Sequence, residues 1–350
     1  KILKNQRERK KMQFGLAIRG QYDARQDIRA CFEELITECK AAEELGFDSI
    51  TKTSHYSTAP FQAFQQLPIL ARLSAETKRV RLNAGVILLS LHKPIDIAEQ
   101  LATIDIMSNG RLICGVALGY REVEFAAFGT EVNERGKLLE ENLIALRRLW
   151  SEERVTMTGS HFKLQNASCL PKPIQQPYPP IWIGANADPA IKRAAKLGDC
   201  WYINPHNKIS DIKKQMEIYK LALDHYHKPF PNELPMRREV FVAETREEAL
   251  RIAGPYITKK YDAYQSWGQG DQLPDGDQNL ALAFDELAGD RFIIGSPDDV
   301  TEQIINLSNE VGTNHLIMSI QWADMPHSLT MDTLSILGER VFPQVRQILG

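Results

Sequence analysis

No stretch of this 350-residue sequence approaches about 18 consecutive apolar residues, so no helix in it is built to span a bilayer. Cysteine is scarce: Cys31, Cys39, Cys114, Cys169 and Cys200 form no C-x-x-C pair, which disfavours a zinc site or a redox dithiol. They read as free thiols of a reducing cytoplasm. Neither sign of charge dominates, with 42 Lys+Arg against 45 Asp+Glu. What bias exists sits at one end, where residues 1–11 (KILKNQRERKK) carry +5 and leave −8 on the remainder. A mildly acidic body argues against a dedicated nucleic-acid surface. The basic head is too short and polar for a secretory signal, and is expected to be an extension or cloning remnant outside the folded unit. Nucleotide and nucleophile signatures are missing too. There is no G-x-x-x-x-G-K-[ST], no G-x-S-x-G, and no G-x-G-x-x-G in the opening run QFGLAIRGQ. That run carries no H-x-H, and the histidines are scattered, so a catalytic metal is not expected.

What is present is alternation. Short apolar runs at 13–18, 49–53, 80–89, 112–118, 181–183, 201–203, 239–243 and 315–320 read as strands. Helical spacing fills 28–45, 61–75, 95–107, 134–150, 189–197 and 209–226, begins again at 246 and at Ser296, and occupies 329–348. Pro68 is expected to kink or divide the second helix. Asn109-Gly110 is a stop signal, and Ser296-Pro297-Asp298-Asp299 an N-cap with acids on the positive dipole end. Eight strand–helix alternations imply an α/β fold, a closed (β/α)8 TIM barrel, with a doubly wound sheet as the alternative. Residues 12–350 then form one domain with two insertions. Residues 155–180 hold a hairpin signal at Gly159-Ser160 followed by a proline-rich run. Residues 254–290 break the pattern with Gly, Pro and aromatics, and are a candidate lid.

In such a barrel the site lies at the C-terminal ends of the strands. That filter selects Arg19–Tyr22, Ser54-His55, Leu89–His92, Gly119-Tyr120, Gly184–Ala187, Asn204–His206 and Gln321-Trp322. His55 is the foremost proton-transfer candidate, since imidazole titrates near neutrality; by position alone it reads equally as a loop histidine. Gly184-Ala185-Asn186-Ala187-Asp188-Pro189 reads as an anion loop at a helix start, or as an ordinary loop capped by Asp188.

At these residues the sequence resembles the bacterial luciferase-like flavin monooxygenases. The resemblance rests on MQFGLAI, on ELGFDSI followed by His55, on VRLNAGVILLSLHKPIDIAEQLATIDIMSNGRLICGVALGYREVEFAAFG, and on PPIWIGAN with AAKLGDCW. It implies a (β/α)8 barrel binding reduced FMN, or deazaflavin F420 in some branches, at the C-terminal mouth. By this resemblance His55 is the catalytic histidine. Gly85 and Val86 match a non-proline cis peptide beneath the flavin ring, Tyr120 lies where strand four meets the flavin, and Gly184, Ala185, Asn186 and Ala187 match the phosphate loop. Ser54, Trp201, Gln321 and Trp322 are expected to line the substrate pocket. Ala117 stands where luciferase has its active-site thiol, and Thr53-Ser54 supplies no acid before His55.

The function expected is oxygenation of a small, apolar organic molecule by O2 added at C4a of reduced FMN. A separate flavin reductase supplies the FMN, and the chain is expected to be a cytoplasmic homodimer or related homo-oligomer. The alternatives are F420-dependent hydride transfer, with Lys52 and Lys93 near the cofactor tail, and a flavin-binding barrel without catalysis.

Overall fold

In the computed structural model, which describes residues 11–350, eight apolar runs form parallel strands that close on one another. They are β1 (Gln13–Ala17), β2 (Ser49–Lys52), β3 (Arg81–Leu88), β4 (Leu112–Ala117), β5 (Ile181–Ala185), β6 (Cys200–Ile203), β7 (Pro235–Val242) and β8 (His315–Ser319). Each pairs with the next, and β8 returns to β1 with Gln13 opposite His315, so these eight strands form a closed ring, with the short strand Ile293–Gly295 added alongside the end of β7. Around it run α1 (Ile28–Glu44), α2 (Gln66–Glu76), α3 (Pro94–Met107), α4 (Glu122–Phe128), α5 (Arg135–Ser151), α6 (Asp188–Leu197), α7 (Ile209–His225), α8 (Arg246–Ser266), α9 (Phe284–Ala288), α10 (Pro297–Val311), α11 (His327–Ile336) and α12 (Phe342–Leu349). The barrel expected from the alternation is the fold observed. All of residues 1–10 of the basic head lie outside the described residues.

Two periodicities build the core. Outward-facing strand residues such as Phe14, Leu16, Ile50, Leu82 and Ile183 meet the apolar stripes of the helices in one continuous cluster. The alternate residues Ala17, Ile113, Trp182, Cys200, Tyr202 and Ile317 fill the barrel interior. Local chemistry sets the helix ends. Asp27 caps α1 by accepting from the Arg29 and Ala30 N–H groups. Ser296 and Asp299 form a reciprocal capping box on α10, with Pro297 at its first position. Asn109 and Gly110, both at positive φ, close α3 as the sequence suggests.

Four expectations need correction. Pro68 neither kinks nor divides a helix: α2 starts at Gln66, so Pro68 sits in the first turn, where its missing N–H costs nothing. The helical reading of 254–266 was lost to Gly254 and Pro255, yet α8 runs on to Ser266, because Ile257, Tyr261 and Tyr264 are buried along it. The irregular part of that insertion is therefore nearer 267–283. Asp188 does not cap α6; Ala187 holds the cap position, and Asp188 is an exposed residue of the first turn. Strand seven starts at Pro235, four residues before the apolar run, with Arg237 and Arg238 inside it. The hairpin at Gly159 is present, as Val155–Thr158 against Lys163–Ala167.

Candidate active site

The C-terminal mouth of the barrel opens into a cleft with about 980 Å³ of unfilled space, counting its open entrance. It brings together Ser54 and His55 beyond β2, Gly85 and Val86 within β3, Tyr120 beyond β4, and Gly184, Ala185, Asn186 and Ala187 at the end of β5. The Gly85–Val86 peptide is cis. At Gly184 a Cβ would lie 3.3 Å from Val86 Cγ1, tighter than an ordinary contact, so a larger residue there would have to push the Val86 side chain aside by a few tenths of an ångström.

His55 is held by a residue that sequence reasoning missed. Its Nδ1 lies 3.0 Å from Oε1 of Glu124, on α4, whose side chain is wholly buried. The same oxygen accepts the Tyr56 N–H at 2.9 Å and approaches Arg121 Nη1 at 3.4 Å. Arg121 also donates to the Tyr56 and Ser57 carbonyls at 2.7 and 3.0 Å, and stacks on Trp267 at 4.2 Å. A carboxylate can only accept, so Nδ1 carries the hydrogen, and in the neutral ring Nε2 is the acceptor. The acid absent from the neighbouring sequence thus arrives from 69 residues away. Tyr120, Tyr264 and Trp267 pack around the imidazole with ring centroids 5.7–6.2 Å away.

The opposite wall is built from β5 and β6. Asn204 donates to Asn186 Oδ1 at 2.6 Å, and Gln215 of α7 donates to the Asn186 carbonyl at 2.6 Å, so the loop is braced on both sides. The first turn of α6 follows directly, but it offers few donors: Pro189 has no N–H, and the Ala190 N–H is given to the Ala187 carbonyl at 2.9 Å. Arg135 adds a cation to the lining. It donates to the Gly119 carbonyl at 3.1 Å and Gln272 Oε1 at 3.0 Å, and forms no ion pair among the described residues. His206 lies beneath, and among the described residues neither of its ring nitrogens has a hydrogen-bond partner. Burial, then the charges of Lys260, Arg237, Arg238 and Arg291, holds its pKa well below the ordinary value, so it is neutral. The Tyr120 and Tyr202 hydroxyls are likewise buried without partners. Asn204–His206 passed the strand-end filter, but nothing in sequence singled out Arg135, Arg237, Gln269 or Gln272.

Three expected lining residues lie elsewhere. Trp201 faces away from the barrel, giving its indole N–H to the Ala185 carbonyl at 3.0 Å and packing 5.6 Å from Tyr219; its neighbour Tyr202 points inward instead. Gln321 and Trp322 line a separate small chamber beside the main cleft. Lys52 is buried, and Lys93 binds the His161 carbonyl; neither is on the cleft wall.

The luciferase-like monooxygenase family model matches residues 12–315. The chain is 28% identical over 335 residues to an FMNH2-dependent dimethylsulfone monooxygenase of Pseudomonas fluorescens, covering 91% of this chain and 84% of that one. It is also 28% identical over 333 residues to an F420-dependent glucose-6-phosphate dehydrogenase of Nakamurella multipartita, covering 91% and 94%. Among solved structures it resembles the monooxygenase RslO1 of Streptomyces bottropensis, at 26% identity and a TM-score of 0.84 over 95% of this chain and 99% of that one. With its barrel, its cleft and these likenesses in agreement, the chain belongs to the luciferase-like monooxygenase family.

Proposed function

We propose that this chain is a monooxygenase that uses reduced FMN, delivered by a separate reductase, and O2 to oxygenate an organic substrate. The observation that carries the reading is the His55–Glu124 pair at one wall of a cleft whose other wall is the braced 184–187 loop. The residues fit a flavin. An apolar floor of Val86, Leu88, Ala117 and Leu118 faces buried, unpartnered Tyr120, Tyr202 and His206 polar groups, which a bound ring with several acceptors would satisfy. When bound, reduced FMN supplies the two electrons that activate O2.

The chain's own residues supply the rest. The Ala187 and Asp188 N–H groups and Arg135 hold the phosphate, and the exposed Asp188 side chain stays off the cleft wall. Val86 and Gly85 support the ring. His55 moves a proton at Nε2 while Glu124 holds its tautomer. Tyr264, Gln269 and Gln272 line the cleft and reduce the room left for water beside His55.

The likeness to the F420-dependent dehydrogenase favours a second reading, hydride transfer from F420 without oxygen. Anaerobic titration with reduced FMN and with reduced F420, followed by admission of O2, separates the two. The proposal expects tight reduced FMN, O2 uptake, and loss of substrate turnover in His55→Ala. Tight F420 binding with no O2 uptake refutes it, and unchanged His55→Ala turnover removes the proton role.

A further inference from the structure

Beside the main cleft, sharing Thr53, Arg237 and Tyr264 with it, lies a smaller chamber with about 490 Å³ of unfilled space on the measure that gives the cleft 980 Å³, of which only about 30 Å³ can take the centre of a water-sized sphere. Its wall is cationic: Arg19, Arg237, Lys259 and Lys260, with Gln321 between them. The nearby carboxylates are already engaged. Glu239 binds Lys260 and accepts the Trp322 indole N–H at 2.7 Å. Asp324 and Asp23 hold Lys259, and Glu38 holds His327 at 2.9 Å.

What remains, among the described residues, is a set of donors short of partners, two of them buried. Arg19 is 3% exposed; its Nη2 donates to the Met325 carbonyl at 3.1 Å, but Nε and Nη1 have no partner. Gln321 is 4% exposed and neither amide atom is bonded. Arg237 donates Nε to Ser319 Oγ at 2.8 Å and forms no ion pair among the described residues. The charge excess is felt nearby: burial and Arg237 push the Lys52 pKa down to about 8. Burying unsatisfied guanidinium donors is costly, and an anion would repay that cost. The chamber has room for roughly two water-sized atoms, which matches the two oxygens of a carboxylate. Guanidinium is also the side chain best shaped for that group.

We propose that this chamber takes the carboxylate of an organic-acid substrate, held by Arg19, Arg237 and Gln321, while the substrate's apolar body passes Thr53 and Tyr264 into the main cleft. The inference rests on the reading of that cleft as the flavin and substrate site, and it replaces a wholly apolar substrate with one that is apolar at the reacting end alone.

The test uses the whole protein and a panel of acids paired with their amides: acetate and acetamide, hexanoate and hexanamide, benzoate and benzamide. Binding is read by calorimetry with and without FMN, and FMN binding is measured separately. At least one acid with an apolar body is expected to bind about tenfold or more tighter than its amide, and tighter than acetate. Arg19→Gln is expected to erase that preference. Gln321→Leu, which removes no charge and does not threaten folding in the same way, is expected to weaken the acid several-fold and leave the amide unchanged. If no acid outbinds its amide, or if the best acid binds both variants as it binds the parent, the proposal is overturned. If acids discriminate but FMN does not bind, the anion chamber stands and the flavin reading falls.

Discussion

Replacing Glu124 by Gln keeps the volume of a wholly buried side chain and removes its charge. The parent carboxylate faces three donors: His55 Nδ1 at 3.0 Å, the Tyr56 N–H at 2.9 Å and Arg121 Nη1 at 3.4 Å. A hydrogen bond to a charged group is worth about 1.5–3 kcal/mol net, against about 0.5–1.5 for a neutral pair. The carboxylate therefore biases the Nδ1–H tautomer of His55 by a factor of about 10–150. In the glutamine variant that bias goes, and an amide N–H turned toward His55 favours the opposite tautomer. Arg121 keeps the Tyr56 and Ser57 carbonyls and Trp267, so the loss of stability should stop near 2 kcal/mol, and the protein should stay folded. A positioned proton-transfer group contributes about 10²–10⁴ in rate, so turnover should fall about 100-fold, equivalent to about 2.7 kcal/mol. Nitrogen-15 correlation spectra should show Nδ1–H in the parent and its loss in the variant. The FMN dissociation constant should move less than about threefold. A parent spectrum showing Nε2–H, or a variant with parental turnover, would refute the reasoning.

Three further outcomes follow from the same geometry. Gly15→Ala places a Cβ 2.5 Å from Ser49 Oγ and 2.9 Å from Ile317 inside the barrel, so urea unfolding should show a loss of about 1–3 kcal/mol. Gln215→Ala removes one brace of the Asn186 carbonyl behind the loop; FMN should bind about five- to tenfold more weakly with little change in melting temperature. His327 is hydrogen-bonded to Glu38, which raises its pKa above the ordinary 6.5. That stabilisation is complete below about pH 6.5 and is lost as pH rises through the raised folded-state value. His327→Gln should therefore narrow the difference in urea midpoint between pH 6 and pH 9, and equal pH dependence in parent and variant would rule the linkage out.

The barrel was legible because parallel strands covered on both faces are written as apolar runs, and each run here is followed by residues at helical spacing. Where the reading failed, a tertiary partner had overridden the local pattern. Arg237 and Arg238 look like the end of a loop, yet they lie inside β7, where Arg237 lines both the main cleft and the cationic chamber and Arg238 donates to the Asn204 carbonyl at 2.8 Å. Pro255 looks like a stop, yet burial of Tyr261 and Tyr264 carries α8 past it. The site divides the same way. His55, Gly85–Val86 and the 184–187 loop lie at strand ends, so the barrel rule and the motif resemblance both reach them. Trp201 was assigned to the wrong side by one residue of strand parity, which exchanges it with Tyr202. Glu124 carries no local mark, because what makes it part of the site is a contact across 69 residues. The residues that shape specificity are of this second kind. Arg19 passed the strand-end filter only as part of a loop. Its weight comes from two guanidinium nitrogens left without partners in a chamber that also holds Arg237 and Gln321, and only the closed barrel brings β1, β7 and the end of β8 to that one place.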